Sequence, residues 1–336
     1  MTIFSVLDQG PVRHDVGPRQ ALCDSLTLAK ALDRLGYARM WVAEHHGTAS
    51  RAIAAPEILI GRLASVTERL RVGAGGIMLP NHAPLHVVEQ FRTLEALFPG
   101  RIDLGIGRST GANNDLTASA LLREPGGQSS FDRQLALVLA FAGLGPFPAG
   151  APAGIQVMPD DVPSPPVVLL GASTSSAESA ARFGLPYALS AGFRDPALAV
   201  AALRRYREAF EGERAHAILV LRAWVGEDDE HGAAIAASER LANVQQLAGD
   251  PQALRPADQA LAHRYTAAER RVAEPLDLRS DLAGGPDLVR AQLTELADAA
   301  GADEVMVVSN TYDPNDRIAS CHRLAVAVGL AAPVAA

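Results

Sequence analysis

The chain has 336 residues, 48% hydrophobic and 20% charged, with a formal net charge of −8. That composition is globular and supports a large core, and the absence of any basic run argues against a nucleic-acid surface. No apolar stretch reaches the roughly 18 residues of a membrane span.

The N-terminus, "MTIFSVLDQG", has neither a basic leader nor a long apolar segment, so no signal peptide is expected. Cys23 and Cys321 lie far apart and form no CxxC or zinc spacing, which fits a free-thiol cytosolic protein. Lys30 is the only lysine among 30 basic residues. With the high alanine content, this reads as codon bias.

In chain order, apolar runs predict strands at 3–7, 39–43, 70–79, 101–107, 166–171, 186–190, 217–225 and 304–309. Several are apolar throughout, as parallel strands buried on both faces must be. Helical periodicity fills 21–35, closed by Gly36, and 86–98, stopped by Pro99-Gly100. It recurs near 131–144, 175–183 and 195–211, over 286–300 before Gly301, and near 315–329. Eight strands alternating with helices predict one (β/α)8 TIM barrel spanning 1–336, with a doubly wound open sheet as the competing arrangement. The segments 108–130 and 226–285 exceed ordinary loop length. Both follow strands, so a barrel puts them on its catalytic face as candidate lids, or as plain surface insertions.

Glu44, His45 and His46 end the second strand. Adjacent residues on an extended chain point opposite ways, which disfavours a shared metal. One histidine facing the cavity as an acid/base, or held beneath the loop as a structural group, are the remaining readings. Gly75-Gly76 interrupts the third strand, as at a tight corner or where a flat ligand approaches the backbone. Arg108 follows the fourth strand and suits a phosphate, or a surface ion pair. Ser173, Thr174, Ser175 and Ser176 crowd a predicted helix start, where free N–H groups and hydroxyls hold an anion. Plain N-capping would need only one of them.

These stretches, "GYARMWVAEHHG", "RVGAGGIMLPNHAPLHVVEQFRTLEALFPGRIDLGIGRSTG", "LLGASTSSAESAARFGLPYALS" and "GPDLVRAQLTELADAAGADEVMVVS", resemble the bacterial luciferase-like flavin-dependent monooxygenases. The likeness is strongest to the single-chain branch, which includes polyketide tailoring oxygenases. The resemblance implies a TIM barrel and reduced FMN delivered by a separate flavin reductase. It further implies O2 adding at flavin C4a, with the peroxyflavin oxygenating a small-molecule substrate, and a homodimer through first-half helices. It implies His45 as the catalytic histidine with Glu44 beside it. Ala43, Gly75, Gly76, Arg108, Ser173, Thr174 and Ser176 would hold the cofactor, with a non-proline cis peptide at Gly75-Gly76. Ala172, Gly107 and Gly111 depart from a glutamate, a reactive cysteine and an aromatic of luciferase α chains, so aldehyde-dependent light emission does not follow. Relatives on the same scaffold use deazaflavin F420, and others bind flavin without catalysis. Both remain alternatives at this point.

Overall fold

The apolar alternation closes into a ring. The computed structural model describes residues 2–121, 130–192, 195–274, 276 and 281–331. The eight expected strands are β1 (Ile3–Asp8), β2 (Arg39–Val42), β3 (Arg71–Met78), β4 (Ile102–Gly107), β5 (Val167–Gly171), β6 (Tyr187–Ser190), β7 (Ala217–Val225) and β9 (Glu304–Val308). They pair in parallel as β1-β2-β3-β4-β5-β6-β7-β9 and back to β1. This closed parallel barrel excludes the open sheet.

One strand was not expected. β8 (Asp281–Gly284) pairs with Arg222–Val225 of β7, beyond most of the stretch that β9 occupies. Four residues with an aspartate and a glycine give no periodic signal. The helices fall near their predicted ranges: α1 (Pro18–Leu35), α3 (Pro84–Leu97), α5 (Phe131–Phe141), α6 (Thr174–Arg182), α7 (Pro196–Ala209), α11 (Pro286–Ala300) and α12 (Pro314–Ala327). Gly36 and Gly301 close α1 and α11 in the left-handed conformation, as their sequence positions predict. α2 (Pro56–Ala64) and α4 (Asp115–Leu121) lie in segments where no helix was located.

Strand alternation sorts the side chains into two layers. Met40 and Val42 of β2 join the cluster between barrel and helices, whereas Trp41 and Ala43 join the barrel interior with Leu7, Val168, Ala188, Ile218, Val220, Met306 and Val308. Each fully buried side chain of this kind contributes roughly 1.5–3 kcal/mol. The N-terminal end of the barrel is closed by buried charge. Asp103 receives Arg39 at 3.0 Å and the Trp41 indole at 3.0 Å, and Glu304 takes the Arg39 Nε at 3.0 Å. This end of a TIM barrel serves stability.

The 226–285 segment is more ordered than its weak periodicity suggests. It contains α8 (Asp229–Leu247), α9 (Ala257–Ala262), α10 (Ala267–Ala273) and β8. α8 is buried on more than one face, including polar Glu239, Asn243 and Gln245, which blurs a single apolar stripe. Residues 122–129 of the other candidate lid, and 275 and 277–280 here, lie outside the described residues. Cys23 and Cys321 are both free thiols, one exposed and one buried. Among the described residues no helix is long and apolar enough to cross a membrane, and no cluster of three or more His, Cys, Asp or Glu could hold a metal.

Candidate active site

Beyond β2 the chain carries Glu44, His45 and His46, and the contacts of Glu44 and His45 differ. Glu44 is only 1% exposed. Its Oε1 lies 2.8 Å from His46 Nε2, 2.9 Å from His82 Nε2 and 3.1 Å from Asn81 Nδ2. Its Oε2 accepts the Met78 N–H at 2.8 Å. Burial pushes the Glu44 carboxyl up, but the hydrogen bonds from His82, His46 and Met78 outweigh it and hold the group below its ordinary range. Burial disfavours the charged form of His82, yet its bond to Glu44 and the nearby carboxylate raise it above the ordinary imidazole value. Glu44 is therefore a hub that ties the end of β2 to the end of β3.

His45 is half-buried. Its backbone N–H donates to Ile53 O at 2.9 Å, and its Nδ1 lies 3.3 Å from Ala43 O. A proton on Nδ1 satisfies that carbonyl and leaves Nε2 as an acceptor. Burial, then the Arg51 guanidinium, push the imidazole down to about 4. It is uncharged at neutral pH.

The Gly75-Gly76 peptide bond is cis, as the resemblance implied. Here β3 gains a residue over β4: Ala74 pairs with Leu104, and Ile77 with Ile106. Ala74 and Ile77 both face the helix layer, so the two glycines lie together between them. There is no room for side chains. A Cβ on Gly75 would come 2.6 Å from Leu7 Cδ1, and one on Gly76 would come 2.8 Å from Gly105 O.

Beside this corner is a cavity of about 390 Å3, lined by Met78, Gly107, Arg108, Ser109, Phe131, Leu169, Leu170, Gly171, Ala172, Ser173, Ser176 and Ser190. It opens at the C-terminal ends of β3 to β6, the catalytic side of a TIM barrel. Arg108 stands over the Phe131 ring at 4.9 Å and 3.7 Å from Asp132. Ser173 and Ser176 form a reciprocal capping box at the start of α6. Ser176 Oγ also lies 2.8 Å from Tyr187 OH, and burial pushes that phenol up to about 12. The capping reading of these serines is thus realised, and both still line the cavity.

The structure brings Arg108, Ser173 and Ser176 together on one cavity. Thr174, the first residue of α6, is exposed next to it. Ala43, Glu44, His45, Gly75 and Gly76 are outside the lining, and Met78 connects the two groups: its N–H serves Glu44 and its side chain lines the cavity. Sequence reasoning missed Asn81 and His82, although "LPNH" ends the strand beside Glu44. It also missed Tyr187, whose hydroxyl acts across a distance of eleven residues.

A sequence-family model described as luciferase-like monooxygenase matches residues 2–304. The chain belongs to this family. It is 36% identical over 323 residues to the luciferase-like monooxygenase of Escherichia coli (strain K12), covering 94% of each chain. It matches the crystal structure of apo-MsnO8 with a TM-score of 0.87 and 39% identity, covering 98% of this chain and 99% of that one. The oxygenating constituent of 3,6-diketocamphane monooxygenase from Pseudomonas putida, solved with FMN, matches with a TM-score of 0.69, 16% identity and 96% coverage of each chain. At that identity it speaks for the shared fold alone. The chain is a monooxygenase-family enzyme of the flavin-dependent class.

Proposed function

We propose that this enzyme takes reduced FMN from a separate flavin reductase and uses O2 to oxygenate a small organic substrate. The reading is carried by one juxtaposition. A cationic and hydroxyl-rich end, made of Arg108, Ser173 and Ser176, shares an apolar cavity of about 390 Å3 with Met78, Phe131 and Leu170. The volume falls in the range of small-molecule and cofactor sites. The donor set fits a phosphate monoester: a guanidinium, two hydroxyls and the positive end of a helix.

When bound, reduced FMN would supply the electrons that activate O2. Arg108 and the capping serines would hold its phosphate, exchanging their present bonds for the anion. The Gly75-Gly76 corner, packed against Leu7 and Gly105, would form a wall beside which a flat ring lies. His45 would keep Nε2 free to accept a proton or hydrogen bond, with Nδ1–H fixed by Ala43. Glu44 contacts His46 and His82 rather than His45, so its role would be to position the corner.

Gly107 and Ala172 put no long side chain into the cavity they line, which favours a polyketide-type tailoring epoxidation or hydroxylation. An apolar groove of about 410 Å3 between α1 and α2, lined by Leu22, Leu26, Ile58 and Leu59, supports dimerisation through the first-half helices. The test is an FMNH2-fed oxygenation assay over aromatic polyketide substrates, run beside binding of FMN and F420. FMN binding with substrate-dependent oxygen incorporation is expected. Preference for F420 without oxygen uptake would replace this reading, and unchanged product formation in His45→Ala would reject the role of His45.

A further inference from the structure

The loop that carries His45 is held by the insertion after β7. The loop closes on itself through His45 N–H to Ile53 O. It pairs with the segment after β1: Val12 N–H donates to Ser50 O at 3.0 Å, and Ala52 N–H to Gly10 O at 2.9 Å. Leu254 of the insertion joins the far side of that segment, donating to Val12 O at 2.7 Å and accepting from His14 at 3.0 Å. One side chain spans the whole arrangement. Arg51 Nη2 lies 2.7 Å from Glu239 Oε1 and 3.4 Å from Asn243 Oδ1, both on α8, while its Nη1 donates to Ser50 O at 3.1 Å. The Arg51 and Glu239 side chains are 4% and 1% exposed.

We propose that Arg51 is a positioning residue of the site, clamped by Glu239 and Asn243 so that α8 fixes the His45 loop and a guanidinium stands beside the imidazole. This rests on the reading of His45 as the working group of a flavin site. The pair is poorly built for stability alone. Desolvating two charges costs more than a buried pair returns unless every lone pair is satisfied, and Glu239 Oε2 is buried without a hydrogen-bond partner. Its effect on His45 is specific. Arg51 lies on the loop that the His45 N–H closes at Ile53, and after burial its charge is the next cause that lowers the imidazole, ahead of His46, with Glu44 acting the other way. Glu44 is already engaged by His46, His82, Asn81 and Met78, and its carboxylate raises His45 less than Arg51 lowers it.

The experiment is an NMR titration of the histidine rings in the full chain, with His45 assigned by its loss in His45→Gln. Arg51→Met should raise the His45 midpoint by roughly one unit or more, the size of one removed nearby charge. Glu239→Gln keeps the cation and removes its counter-charge, so the midpoint should stay or fall. A purely structural clamp would move both variants alike, and that result, or an unmoved midpoint in Arg51→Met, overturns the proposal. Should Arg51→Met fail to fold, the double variant Arg51→Met/Glu239→Leu removes both buried charges at similar volume. It too should raise the midpoint, and no rise overturns the proposal. Because the titration needs no flavin, opposite responses in a chain that binds no FMN would sink the functional reading while leaving the Arg51–His45 coupling intact.

Discussion

Acidification should destabilise this fold through His45 before the carboxylates begin to titrate. Burial and then Arg51 bring the imidazole from an ordinary 6.5 to about 4 in the folded chain. Between those values the unfolded chain binds the proton and the folded chain does not. The stability tied to His45 is therefore complete above the unfolded value and is lost as pH falls toward the folded one. The full separation of about 2.5 units corresponds to roughly 3 kcal/mol, of which about 2 kcal/mol is lost by pH 5. His82 works in the other direction. Its folded value is raised, so its contribution is present below the ordinary imidazole value and is lost as pH rises. Urea unfolding of the wild type and His45→Gln at pH 7 and pH 5 isolates the His45 share, since His82 is common to both. The wild type should lose about 2 kcal/mol more than the variant between the two conditions. Equal losses would refute the assignment of a depressed imidazole at this position.

Replacing Glu44 with Gln removes the acceptor charge from contacts with His46, His82, Asn81 and Met78. A loss of about 3 kcal/mol in urea is expected, the lower end for breaking a buried charged pair, and a loss under about 1 kcal/mol would deny the hub. Gly76→Ala would put a Cβ 2.8 Å from Gly105 O, a backbone atom that cannot swing aside. The corner should shift and FMN binding by fluorescence titration should weaken, while unchanged affinity would rule out the glycine corner as a wall of the flavin site. Arg108→Ala should weaken FMN about tenfold or more, the scale of one charge-assisted bond, with riboflavin affinity unaffected. Equal weakening of both ligands would show that Arg108 does not read the phosphate.

The barrel was legible because its physics is local. Each of the eight barrel strands is an apolar run that must be buried, and glycines at 36 and 301 stop helices wherever they occur. The adjacency of His45 and His46 also argued locally against a shared metal, since neighbours on an extended chain point opposite ways. Other features depend on partners far along the chain. Whether Glu44 serves chemistry or architecture is decided by His82 and the Met78 N–H, which β3 delivers only after pairing with β2. The helices of the insertion carry no clean stripe because α8 packs on several sides and buries Glu239 and Asn243 against Arg51, 188 residues away in sequence for Glu239. β8 exists only because β7 extends past the rest of the barrel and offers an edge. Local periodicity determined the elements and their order. Which charges meet, which histidine is kept neutral and which wall closes the site were set by tertiary packing, because desolvation and Coulomb energy depend on distance in space and not along the chain.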